Sequence, residues 1–142
     1  MKWFLRGIII FFISILLASL KITFNGEYFN VMYTVLGIMF SVGIGQVLSF
    51  SFSEITNNDF VMHQRTQLNN ILTVFVTLFT IATLFFSFRD VNLEYEFKIF
   101  KFSSNALFGA FFVFCIIYYI RNFFSLLNLK NEIEDLLRKA KK

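Results

Sequence analysis

The side chains able to do chemistry are few in this sequence and stand apart from one another. His63 is the single histidine and Cys115 the single cysteine. A zinc site needs three or four His, Cys or carboxylate ligands brought together. His63 has Gln64 and Arg65 beside it instead. Gly43-Ile44-Gly45 lacks the third glycine of a dinucleotide-binding turn. Ser41 has Met39 where a nucleophile elbow needs glycine. No His or carboxylate stands in its segment to activate it. The residues therefore predict no catalytic, cofactor-binding or metal-binding group, and no enzyme. What remains is polar but uncharged. Thr73, Thr77, Thr80, Thr83 and Ser87 recur every three or four residues, which at about 100° per residue gathers them on one side of a helix. Such hydroxyls bond their own i−4 carbonyls or a neighbouring helix. Alternatively they line a polar path, with Gln46 as a partner at similar depth.

The elements that carry these groups are apolar to an extent soluble domains are not. The chain has 142 residues, of which 57% are hydrophobic and 15% charged, against about 25% charged in an ordinary soluble domain. Twenty-three residues are Phe and none is Pro, and the mean hydropathy is +0.68. So short a soluble chain would need more polar residues to cover its surface. The expected class is an all-α membrane protein, a bundle of four transmembrane helices over residues 1–122. Its spans are expected at about 3–20, 31–52, 71–88 and 104–122. A crossing takes about 20 apolar residues, and the runs are continuous rather than alternating, which excludes a barrel. The first span also resembles a signal peptide, but Leu20 and Lys21 follow Ala18-Ser19 where a small residue is wanted.

Charge sets the expected orientation. With four spans, Lys2, Arg6, Arg65, Arg121, Lys130, Arg138, Lys139, Lys141 and Lys142 share one side, against Lys21, Arg89, Lys98 and Lys101 on the other. The positive-inside rule then places both termini in the cytoplasm. The net charge of +4 lies at span edges and the tail, so anionic lipid is the expected partner rather than nucleic acid.

Outside the membrane, Asn25-Gly26 between β-favouring runs predicts a type I′ hairpin. Leu93-Glu94-Tyr95-Glu96-Phe97 alternates like a half-buried strand, so the two outer loops are expected to pair into a small external β cap. The alternative is two irregular loops on the headgroups. Asn57-Asn58-Asp59 predicts a helix start near Phe60. Residues 123–142 form a separate cytoplasmic C-terminal helix, opened by an Asn131/Glu134 capping box. Leu126, Leu129, Ile133 and Leu136 give it a short coiled-coil seam for self-association. The other reading is an amphipathic helix on the inner leaflet.

Within the second span, Gly37, Ser41, Gly45 and Ser49 fall four residues apart. Helices gain little by leaving lipid for one another unless their backbones approach closely, which small residues allow. This row is the expected packing seam, toward another helix of the chain or toward a second copy. In size and span number the chain resembles small four-span proteins of bacterial inner membranes, among them bacteriocin-immunity proteins and membrane subunits of anti-phage systems. The likeness carries no motif. It implies a non-enzymatic inner-membrane protein working through helix–helix and protein–protein contact, with self-association or a membrane partner, in defence or immunity. The alternative is an oligomeric ion channel or membrane-permeabilising effector.

Overall fold

The computed structural model describes residues 2–20, 22, 24–51, 58–91, 93–97 and 100–140, with side chains for 8–20, 22, 24–51, 59–91, 93–96 and 101–135. Helix α1 is Lys2–Ser19, α2 is Gly26–Leu48 and α3 is Asn58–Ser87. Strands β1, Glu94–Phe97, and β2, Phe100–Ser103, precede α4, Ser104–Ala140. Helices α2, α3 and α4 are long and apolar enough to cross a membrane. The apolar part of α1 that is described, Ile8–Ser19, is shorter.

The boundaries follow from local chemistry and depart from the hydropathy reading at several points. Asn25 does not enter a hairpin turn. Its backbone is extended (φ −83°, ψ 169°) and its Oδ1 accepts from the Tyr28 N–H at 2.9 Å. It is the N-cap of α2, with Glu27 in the first turn to suit the helix dipole. The second helix thus starts at Gly26 rather than 31, because Glu27, Tyr28 and Asn30 interrupt the apolar run without interrupting the backbone ladder. It ends at Leu48, short of 52, with Ser49 as C-cap. The expected partner strand at 21–29 is absent among the described residues, and the sheet has two strands rather than three. The third helix starts at Asn58, close to the expected Phe60 and well before the apolar run at 71. The fourth helix and the expected separate tail helix are one element: no Gly or Pro falls between Phe111 and Ala140, and Asn131 lies inside the helix, not at a cap.

Around α4 the bundle is assembled. It packs against α1, α2 and α3, while α2 and α3 also pack on each other. Ring contacts Phe29–Phe112 at one end, and Val47 clustered with Leu126 at the other, show that α2 and α4 run parallel. Phe85 against Phe108, and Phe75 against Tyr119, show α3 running antiparallel to α4. The main core centres on Phe29, Leu36, Phe75, Phe112 and Tyr119. A second cluster, Val47, Leu68, Leu126 and Ile133, extends it toward the tail end. At the opposite, hairpin end, β2 lies along α1, with the Phe102 and Phe11 rings 6.0 Å apart. The outside of the bundle is apolar: Phe12, Leu16, Ile38, Leu84, Ile117 and Phe124 are each more than half exposed. Such a surface suits hydrocarbon rather than water.

Candidate functional site

Helix α2 has two faces of different chemistry. Phe29, Leu36 and Gly43, at seven-residue spacing, are buried together with Val47. At Gly43 the missing Cβ leaves room for the Phe75 ring, which would overlap any side chain there. The opposite face carries Gly37, half-buried, and Ser41, Gly45 and Ser49, all exposed. Among the described residues nothing stands within 4 Å of where a Cβ would sit on Gly37 or Gly45. Ser41 donates to the Gly37 carbonyl at 2.9 Å and Ser49 to the Gln46 carbonyl at 2.8 Å. Of the two expected places for this seam, another helix of the chain or a second copy, no described helix of the chain stands against its glycines. The helix turns its bulky heptad inward because Leu36 and Phe29 fill the core, and that leaves the small row pointing out.

Helix α3 repeats the pattern. Thr73, Thr77 and Thr80 are exposed, and each donates to a carbonyl four residues earlier, that of Asn69, Thr73 and Val76 respectively. Thr83 is the exception: it donates to the Phe79 carbonyl and shares a 3.0 Å hydrogen bond with the Tyr33 hydroxyl of α2. Within one chain the stripe faces outward, with hydroxyls bonded to their own helix. The half-buried Gln46 makes no hydrogen bond to these threonines.

Between α2 and α3 lies a feature the sequence reading missed. Phe86 stacks on Tyr33 at 4.3 Å between centroids, Tyr33 on Phe79 at 5.7 Å, and Phe79 on Phe40 at 4.3 Å, all within 14° of parallel. The Arg89 guanidinium closes this column 4.2 Å above Phe86. Two seven-residue spacings, Tyr33/Phe40 and Phe79/Phe86, were the available signal. Nearer the tail end, the buried Tyr119 hydroxyl donates to the Phe75 carbonyl at 2.8 Å, joining α4 to α3.

The tail residues are already engaged within the chain. Leu126 and Ile133 are buried and Leu129 half-buried, packed against Leu68, Val61 and Phe60 of α3. The first turns of α3 thus cover Leu126, Leu129 and Ile133 within the chain. The side chain of Leu136 lies outside the described residues.

Comparison with known protein families, curated proteins and solved structures finds no match.

At the hairpin end, Ser104 holds the loop after α3 to the start of α4. Its Oγ accepts from the Leu93 N–H at 2.9 Å and donates to the Val91 carbonyl at 3.0 Å, and its own N–H donates to the Leu93 carbonyl at 3.1 Å. Across the hairpin, Lys101 pairs with Glu96 in register. The Glu96 carboxylate, as hydrogen-bond acceptor and then as countercharge, raises the Lys101 ammonium above the ordinary lysine value. Among the described residues no group of three or more His, Cys, Asp or Glu could hold a metal.

Proposed function

We propose that the chain crosses a bacterial inner membrane with four helices, both termini cytoplasmic, and acts without catalysis by lateral contact of α2 with a second membrane protein, either another copy or a different partner. One observation carries the reading: the small row Gly37, Ser41, Gly45 and Ser49 faces away from the bundle with open space above its glycines. In lipid, helices associate where small residues let their backbones approach closely. Two glycines and two serines on that face are explained by another helix approaching closely. Immunity or defence is the setting attached to this reading, on likeness in size and span number alone.

Cysteine cross-linking in native membranes tests it. Cys115 is buried, so background is low. Ser41→Cys and Ser49→Cys should give a defined adduct that Gly45→Leu abolishes. Ile117→Cys, also exposed but on α4, should not. Equal cross-linking at Ile117 would remove the case for α2. A second reading, a polar path between copies, draws on the outward exposure of Thr73, Thr77 and Thr80. It requires conductance in planar bilayers that Thr77→Val with Thr80→Val alters.

A further inference from the structure

Two hydrophobic clusters hold the bundle together, and they barely overlap. The main core is built on Phe29, Leu36, Phe75, Phe112 and Tyr119, the tail cluster on Val47, Leu68, Leu126 and Ile133. Among the described side chains packed around them, Ile71 alone serves both. Outside the tail cluster the surface is polar: Arg65, Thr66 and Gln67 on α3, and Lys130, Glu132 and Glu134 on α4, are exposed. Water solvates side chains of that kind, so closure at this end is driven by burial of the apolar residues beneath them.

One buried residue works against that closure. Gln64 lies one turn from Phe60 and one turn from Leu68, on the face of α3 turned toward the cluster. It is 8% exposed, and its Oε1 has no hydrogen-bond partner among the described residues. Water would satisfy this acceptor. Shut between the helices it gives up that bond and gains none, and parting of the helices restores it. Tyr119 in the main core shows the contrast, since its buried hydroxyl donates to the Phe75 carbonyl at 2.8 Å. We propose that the first turns of α3 and the last turns of α4 form a latch that opens as one unit while the main core stays shut, with Gln64 setting how readily it opens. Opening uncovers Leu126, Leu129 and Ile133, whose spacing is that of a coiled-coil seam. The seam is therefore presented in the open state and hidden in the closed one. Contact along the exposed row of α2 needs no such opening, so the latch stands apart from it.

The test is amide hydrogen exchange of the full-length protein in detergent micelles, resolved by peptide. After correction for intrinsic rates, residues 58–68 and 126–135 should share one protection factor, roughly tenfold or more below that of residues 78–85 and 108–119. Gln64→Met keeps the length of the side chain and removes the unpaired oxygen. It should slow exchange in both segments together, by about tenfold. Ile133→Val trims the cluster from the α4 side and should speed exchange on α3 as well as on α4. Equal protection of the latch and the main core would overturn the proposal, because nothing then opens separately. So would a response to Gln64→Met that is absent or confined to α3, because the two segments then do not move as one. Faster exchange in Gln64→Met would overturn it too, by showing that the amide is paired in the closed state.

Discussion

Gly43 and Gly45 stand two residues apart and differ entirely in what a side chain would meet. A leucine at Gly43 would collide with Phe75, and overpacking of this kind costs about 1–3 kcal/mol. Gly43→Leu should lower the temperature at which the detergent-solubilised bundle unfolds, whereas Gly45→Leu should leave it unchanged and affect only contact between proteins. Equal loss of heat resistance would mean that both faces pack within the chain. Gln64 offers the opposite case. It is 8% exposed and its Oε1 has no partner among the described residues. A buried polar atom left unpaired costs about 1–3 kcal/mol, so Gln64→Met should raise the unfolding temperature. A fall would show that the amide is paired in solution.

Elements hold together here by aromatic columns and short clasps. In the membrane a ring gains little by leaving lipid for protein, so the Phe86–Tyr33–Phe79–Phe40 column contributes through stacking and dispersion. At roughly 0.5–1.5 kcal/mol per pair, Tyr33→Ala should cost about 1–3 kcal/mol, and Tyr33→Phe, which keeps the ring and loses the Thr83 hydroxyl bond, closer to 0.6. Denaturation in mixed micelles would rank the two variants. For the hairpin the sign of the pH dependence is fixed. Lys101 is raised by Glu96, so its support of the hairpin is complete below the ordinary lysine value and is lost as pH climbs through the raised one. A carbon-13 titration of Lys101 should show a midpoint above that ordinary value, and Glu96→Gln should remove the upward shift. The elements themselves were only partly legible. Apolar runs disclosed the long helices because hydropathy measures what the bilayer selects. Their ends depend on capping, and a run of hydropathy cannot see that Asn25 caps a helix rather than turning a strand, or that Asn131 caps nothing. Facing was less legible still. Whether Gly37 and Ser41 or Leu36 and Gly43 turn inward depends on the volumes of Phe75 and Phe112, which lie far along the chain.

Taken whole, the molecule is a bundle with an apolar flank and two differently built ends. The charge bias of the sequence predicts that reporter fusions after Lys142 and within residues 54–58 are cytoplasmic, and that one near Asn92 is external. An external C-terminus would sink the four-span topology. The first crossing is tested by labelling single cysteines at Phe12 and Leu16 with a membrane-impermeant maleimide. Protection at both is expected of a buried span.

One element runs the full height of the protein. Helix α4, at 37 residues, is about 55 Å long, and with no proline in the chain it lacks the commonest cause of a kink. It is fastened at one extremity through Ser104, and toward the other Ile133 clusters with residues of α3. A straight shaft packed against all three other helices should carry a sideways push on its far extremity through to the hairpin. Spin-label distances between Asn128 and α3, and between Glu94 and α1, should therefore change together when anything docks on the tail, and independent changes would show that the shaft flexes.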